Sequence, residues 1–123
     1  MALTSIIIPT HDRPQLLTRA VESAREAGTE IEIVVVDDGS TDETRSVCAS
    51  LRDIVYVRLE ERHGVGYARA AGNAASTGAY ISFLDDDDAR LPGSIDRQLE
   101  ILEASPDAAL VYGQIYRATQ GLA

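Results

Sequence analysis

The sequence contains no lysine and no tryptophan, and its eleven basic residues are all arginines. Twenty aspartates and glutamates oppose them, so the formal net charge is -9. A P-loop needs a lysine for the nucleotide phosphates, and a response-regulator receiver needs one after its last strand, so the absence of lysine excludes both classes. The acidic balance argues against a nucleic-acid groove, because phosphate backbones bind basic surfaces.

Cysteine and long apolar runs are also scarce. Cys48 is the one cysteine, which excludes an internal disulfide, and its amphipathic surroundings predict a small packed side chain. No apolar run approaches the length of a transmembrane segment, and the N-terminus lacks a signal-peptide pattern. We therefore expect a cytoplasmic chain, or the cytoplasmic part of a longer protein that is itself membrane-associated. The 123 residues predict one domain over 1–123, and 45% apolar residues suffice for a core.

Five short apolar segments alternate with amphipathic ones along the chain. The predicted strands are TSIIIPT (4–10), IEIVVVDD (31–38), IVYVRL (54–59), YISFL (80–84) and AALVYGQIY (108–116). The predicted helices cover roughly 13–27, 41–50, 67–75 and 91–105. This alternation predicts an α/β fold with three layers, α/β/α, around a mostly parallel, Rossmann-like sheet. A free sheet edge near 109–117 could pair with a second copy, so a homodimer is compatible with the pattern.

Local signals predict where the first two helices begin. Asp12 is expected to cap the first helix, and Gly28 is expected to end it. Ser40 and Glu43 have the spacing of a capping box for the second helix.

Polar clusters follow three of the predicted strands. They occupy 10–13, 37–40 and 85–88. In open α/β sheets, ligands bind beyond the carboxyl ends of the strands, so these clusters are expected to meet at one site. Their shared position is a stronger indication of function than any one of them.

The run Asp85–Asp88 admits two interpretations. A solvated acidic loop, or carboxylates at a helix N-terminus, would explain it without any ligand. A divalent metal site would explain it as well, because neighbouring carboxylates can share a hard cation that cancels their repulsion. The position at the end of a strand favours the metal.

Two other segments have similar alternatives. Asp37 and Asp38 could simply close a strand, or one of them could accept hydrogen bonds from a nucleotide base or ribose. The segment HGVGYARAAG fails the dinucleotide-binding pattern, because Arg69 stands where the third glycine belongs. Arg69 could nevertheless meet a diphosphate, or it could pair with a structural acid.

Taken together, these segments resemble a known family. SIIIPTHDRPQLL, IEIVVVDDGSTDET, GVGYARAAGNAASTGAYISFLDDDDARLPGSI and ALVYG are similar, in order and spacing, to the nucleotide-sugar-binding half of family 2 inverting glycosyltransferases. The resemblance covers nearly the whole chain. It implies the GT-A fold and a metal-dependent transfer, with inversion, of a sugar from a nucleoside diphosphate to an acceptor hydroxyl.

The resemblance also implies a set of site residues. The nucleotide-sugar contacts would come from Pro9, Thr10, Arg13, Asp37, Asp38, Arg69, Asp85 and Asp86. Asp38 would meet the base, with a uridine donor as the first expectation, and Arg69 would lie near the diphosphate. Asp85 and Asp87 match the D-x-D signature that holds Mg or Mn, and Asp88 is a further acid of that pattern.

The chain departs from the family pattern in sequence and in length. Ala70 replaces an expected asparagine, and His11 and Asp12 stand where an aromatic residue and an asparagine are commoner. Such enzymes usually continue with an acceptor-binding half that carries the catalytic base. We therefore expect a donor-binding half whose general base lies outside this chain and whose acceptor is a carbohydrate or a lipid-linked molecule.

Two alternative functions stay open. The fold could be kept as a non-catalytic module for nucleotide-sugar binding or oligomerisation. A sugar nucleotidyltransferase also uses strand-end acids and a metal, but it usually carries a basic glycine-rich loop after the first strand, which IPTHDRP is not.

Overall fold

The computed structural model describes residues 2–117 of the chain. Within them four strands alternate with four helices. These elements are β1 (Thr4–Thr10), α1 (Pro14–Glu26), β2 (Ile31–Asp38), α2 (Thr44–Ser50), β3 (Ile54–Leu59), α3 (Val65–Ala75), β4 (Tyr80–Phe83) and α4 (Ser94–Glu103). The predicted domain 1–123 also includes residue 1 and residues 118–123, which lie outside this description.

The four strands form one parallel sheet in the order β3-β2-β1-β4. Every residue of β1 is buried, as are the last six of β2, which explains why both strands have continuous apolar runs instead of alternation. The chain reverses its direction of strand addition between β3 and β4, so the carboxyl ends of β1, β2 and β4 meet at a switch point.

Helices cover both faces of the sheet, which confirms the predicted three-layer α/β architecture. On one face, α1, α2 and α4 enclose a core with β1 and β2. On the other face, α3 packs alone over Ile7, Val34 and Val36 through Ala68. Gly72 makes this contact possible, because a Cβ there would lie 2.4 Å from Ile7 Cγ2. Three helices cover the first face but α3 alone covers the second, so Ile81 and Phe83 of β4 stay partly exposed beside α3.

The prediction of a fifth strand at 108–116 is wrong. The segment has no strand structure, and Leu110, Tyr112 and Ile115 are exposed. A strand-like pattern forms a strand only where a neighbouring edge and a buried face receive it. Here the segment runs beside β4 and α4 without pairing with either, and homodimerisation through such a strand stays a prediction.

The predicted N-terminal caps of the first two helices are also wrong, whereas α1 ends just before Gly28 as expected. Arg13 is the N-cap residue of α1 and Glu43 that of α2, and neither helix has a side-chain cap hydrogen bond. Asp12 and Ser40 instead bond to each other's loops, since the Asp12 amide donates to Ser40 Oγ at 2.9 Å. Short side chains that suit a helix cap suit a contact between loops equally well.

Candidate functional site

A cavity of about 330 Å³ opens at the carboxyl ends of β1, β2 and β4. Its lining residues are Pro9, Thr10, His11, Arg13, Asp38, Arg62, Gly64, Val65, Arg69, Asp85, Asp86 and Asp87. Seven of the eight predicted nucleotide-sugar contacts are among them, and Asp37 is not. A larger cavity of about 590 Å³ lies beside β4 and α4, but its lining holds Arg90 as its one charged residue. The first cavity therefore gathers the polar clusters at the strand ends.

Asp86 joins the end of β1 to the acidic segment that follows β4. Its Oδ2 accepts a hydrogen bond from Thr10 Oγ1 at 2.9 Å, and its Oδ1 lies 3.3 Å from a guanidinium nitrogen of Arg13. Burial raises the pKa of Asp86, and the charges of Asp87 and Asp85 add to that rise against the opposing effects of Thr10 and Arg13. Asp86 is 7% exposed, and its buried side chain anchors the acidic segment to the end of β1.

The other three carboxylates of the run reach the surface. One oxygen each of Asp85, Asp87 and Asp88 lies within 4.8 Å of the others, and all three residues are exposed. Partial burial raises the pKa of Asp88, and the nearby charges of Asp87 and Asp85 raise it further. The three carboxylates therefore lie close together although their negative charges repel one another.

Two arginines partly neutralise this cluster. Arg69, from the middle of α3, lies 3.0 Å from Asp85 Oδ1, and its guanidinium sits 5.7 Å from the centre of the Phe83 ring. Arg13, directly before α1, lies 3.6 Å from Asp87 Oδ2. Each arginine thus reaches the acidic run from a different helix, with part of its guanidinium open to the cavity.

The two aspartates that end β2 have different surroundings. Asp37 is fully buried and accepts bonds from the Ser40 amide at 2.9 Å, the Tyr56 hydroxyl at 2.6 Å and Arg58 at 3.0 Å. Burial by itself would raise the pKa of Asp37, but these bonds and the Arg58 charge outweigh it and lower the pKa. The structure therefore places Asp37 away from the cavity, inside a closed network between β2 and β3.

Asp38 faces the cavity and fastens the loop after β3. Its two carboxylate oxygens accept hydrogen bonds from the backbone amides of His63 at 2.7 Å and Gly64 at 2.9 Å. These bonds place Arg62, Gly64 and Val65 in the cavity wall. Sequence reasoning missed those three residues, because no spacing rule links them to β2. Gly39 is the available signal: at φ +70° it lets the backbone of Arg62 approach to 2.7 Å of where a Cβ would stand.

Comparison with known proteins agrees with this arrangement. The profile described as "Glycosyl transferase family 2" matches residues 5–122. The chain belongs to this family. An uncharacterized glycosyltransferase of a Nostoc species is 38% identical over 106 residues, which are 82% of this chain and 33% of that protein. The succinoglycan biosynthesis protein ExoO of Rhizobium meliloti is 34% identical over 104 residues, covering 82% of this chain and 30% of ExoO.

Solved structures of the family share the fold. The 1–349 portion of Staphylococcus aureus TarS, in a complex with UDP-GlcNAc, superposes with a TM-score of 0.77 at 26% identity, over 83% of this chain and 31% of that one. The GT-A fold expected from the sequence is thereby confirmed. This family 2 chain spans about a third of the length of the relatives just named. No helix among residues 2–117 is long and apolar enough to cross a bilayer.

Proposed function

We propose that this family 2 chain binds a nucleoside-diphosphate sugar, with UDP as the first candidate nucleotide, for transfer of the sugar to an acceptor hydroxyl with inversion. The observation that carries the proposal is the cavity at the strand ends, where Arg13 and Arg69 stand beside Asp85 and Asp87. Guanidinium groups suit a diphosphate, and paired carboxylates suit the cation that accompanies one. The TarS complex with UDP-GlcNAc supports the choice of nucleotide.

The acidic run fits a divalent metal. Three hard oxygen donors within 4.8 Å of one another match the preference of Mg²⁺ or Mn²⁺ for carboxylates, and their exposure leaves positions for phosphate oxygens and water. We assign Asp85 and Asp87 as ligands, with Asp88 as a third carboxylate in reach. A bound cation would stabilise the negative charge that develops on the departing nucleoside diphosphate.

The remaining residues bind and orient the donor. In the proposed reaction the acceptor oxygen forms a bond to the anomeric carbon, the bond from that carbon to the diphosphate breaks, and the acceptor's proton passes to a base. Arg69 and Arg13 would receive the diphosphate charge, while Thr10 holds Asp86 in place. Asp38 is assigned to the base or ribose, and Asp37 to the support of the β2 end.

No side chain among residues 2–117 is assigned as the general base. We therefore propose that the isolated chain binds donor and metal but transfers sugar poorly. The acceptor is taken to be a carbohydrate or a lipid-linked sugar. A Campylobacter jejuni relative, 30% identical over 98% of this chain and 40% of its own length, is named as a glucosyltransferase acting on an undecaprenol-linked glycan, which supports that class.

Calorimetric titration with UDP, with and without Mn²⁺, tests the proposal. We expect Mn²⁺-dependent binding that Asp87→Ala weakens by at least about tenfold. Asp107→Ala, at an exposed acid outside the cavity, is the matched control and should bind as the wild type does. Equal UDP binding without metal and in Asp87→Ala would contradict the metal assignment. Absence of binding to UDP, GDP and dTDP alike would contradict donor binding and favour a non-catalytic module.

A further inference from the structure

Asp12 has a backbone conformation that few residues other than glycine adopt. Its φ is +51°, in the left-handed region, directly between the end of β1 and the start of α1. Asparagine and aspartate enter this region more readily than other side chains, because a short polar group can bond to nearby backbone. The hydrogen bonds of Asp12 show what this conformation achieves.

Asp12 bonds to the loop after β2 in both directions. Its amide donates to Ser40 Oγ at 2.9 Å, and its Oδ1 accepts from the Thr41 amide at 2.8 Å and, more weakly, from the Asp42 amide at 3.4 Å. Residues about thirty positions apart in sequence are thereby joined across the gap between two parallel strands. The ends of both strands line the cavity, through Thr10 and Asp38.

The residues on either side of Asp12 line that cavity. His11 contacts Asp38 through Nδ1 and the Asp38 carbonyl oxygen at 2.7 Å, and its Nε2 lies 3.2 Å from Asp12 Oδ2. Arg13, the next residue, reaches Asp86 and Asp87. Movement of Asp12 away from Thr41 would therefore displace the guanidinium of Arg13 relative to the carboxylate of Asp38.

We infer that Asp12 is a positioning residue for the donor site. It fastens the β1–α1 loop to the β2–α2 loop and so fixes the separation between Arg13 and Asp38. Asp12 does not itself line the cavity, and it acts through His11, which contacts Asp38, and through Arg13. The inference extends the proposed function, on whose nucleotide site it rests.

Two substitutions separate the side chain from the backbone conformation. Asp12→Gly removes the acceptor but adopts φ +51° without strain, whereas Asp12→Asn keeps an Oδ1 acceptor and tolerates the same φ. We expect Asp12→Gly to weaken Mn²⁺–UDP binding by about tenfold, in line with the loss of two hydrogen bonds. Asp12→Asn should stay within about twofold of the wild type.

Asp53 offers a matched control. It is the other non-glycine residue with positive φ in the described chain, at +54°, and it is exposed and outside the cavity. Asp53→Gly should leave UDP affinity unchanged. Unchanged affinity in Asp12→Gly, or an equal loss in Asp12→Asn, would overturn the inference, because asparagine removes the charge but keeps the acceptor.

Amide NMR spectra of the nucleotide-free variants make the result independent of the proposed function. We expect Asp12→Gly, but neither Asp12→Asn nor Asp53→Gly, to shift the amide signals of Thr41 and Asp38 and the guanidinium Nε signal of Arg13. If the wild type bound no nucleotide, the proposed function would fail while these shifts still supported the positioning role. An unchanged Asp38 amide signal and an unchanged Arg13 Nε signal in Asp12→Gly would overturn it.

Discussion

At the scale of single residues, two of the three arginines that line the cavity already form ion pairs with the carboxylates assigned to the metal. Arg69 lies 3.0 Å from Asp85, and Arg13 lies 3.6 Å from Asp87. A divalent cation and a guanidinium would compete for the same oxygens. A metal bound to Asp85 and Asp87 would therefore free Arg69 and Arg13 to bind the diphosphate. The cation would bind first and the nucleotide second, because the cation replaces the arginines as the partner of the carboxylates.

Arg69→Gln should change the two affinities in opposite directions. Mn²⁺ alone should bind about two- to fivefold more tightly, because an exposed competing ion pair is lost. UDP in saturating Mn²⁺ should bind more weakly, because the diphosphate loses a cation. Titration calorimetry measures both values on one preparation.

Arg97→Gln removes the same charge from an exposed position of α4 outside the cavity and should alter neither affinity. If Arg69→Gln weakened metal binding as well, competition between Arg69 and the cation would be refuted.

At the scale of elements, α3 holds two glycines whose surroundings are opposite. A Cβ at Gly72 would stand 2.4 Å from Ile7 Cγ2 and 3.0 Å from Val36 Cγ2, and both of these side chains are fully buried. A Cβ at Gly66 would meet no atom within 4 Å. The same substitution therefore tests packing at one site and helix propensity at the other.

Gly72→Ala should lower the free energy of unfolding by about 1–3 kcal/mol, because β1 and β2 cannot move away from the added methyl group. Gly66→Ala should raise it by up to about 1 kcal/mol, because alanine loses less backbone entropy in a helix. Urea denaturation followed by circular dichroism measures both. Equal effects of the two substitutions would show that α3 lies farther from the sheet than described.

Elements were predictable from the sequence where burial alone determines them. The runs IIIPT and IVVVDD form strands because both faces of β1 and β2 are covered, which an apolar run signals directly. The segment 108–116 has a similar pattern, but it does not pair with the open edge of β4 and most of its residues are exposed. That information lies in the spatial neighbours of the segment and not in its own residues.

At the scale of the whole molecule, one carboxylate links β1, β2 and the segment before β4 at the end of the sheet where the strands begin. Glu32 in β2 accepts hydrogen bonds from Ser5 of β1 at 2.7 Å and from the amide and hydroxyl of Thr77 before β4. Burial alone would raise the pKa of Glu32, but the bonds from Ser5 and Thr77 outweigh it and lower the pKa. The stability of the fold must therefore depend on the charge of this group.

Because the folded-state pKa of Glu32 lies below its unfolded value, its stabilisation is complete above about pH 4.5. The stabilisation is lost as the pH falls through the lowered folded-state pKa. Glu32→Gln should thus reduce the free energy of unfolding at pH 7, and its difference from the wild type should shrink toward pH 3. Denaturant titrations across this range test the sign.

Glu30→Gln is the control, since Glu30 is exposed and its side chain makes no hydrogen bond among residues 2–117. A Glu32→Gln deficit that stayed constant from pH 7 to pH 3 would contradict the linkage.

The site was predictable as a location more than as a set of contacts. Strand-end position predicted that Thr10, Arg13, Asp38 and Asp85–Asp87 would meet at one cavity, because parallel strands end on the same side, whereas Arg69 in α3 was predicted from the resemblance. The sequence did not predict that Asp37 would be enclosed while Asp38 faces the cavity. Adjacent strand residues face opposite sides of a sheet, and only the packing against β3 shows which one is enclosed.

Cys48 has a practical consequence beyond the site. The thiol is 3% exposed in α2, and burial, followed by the charge of Asp37, raises its pKa to about 11. The thiolate is the form of cysteine that attacks a disulfide reagent, so the native chain should react slowly and the opened chain quickly. Since Cys48 is the one cysteine, the rate of its modification reports the opening of this single region. The opening of the region around Cys48 by denaturants can therefore be followed without any introduced label.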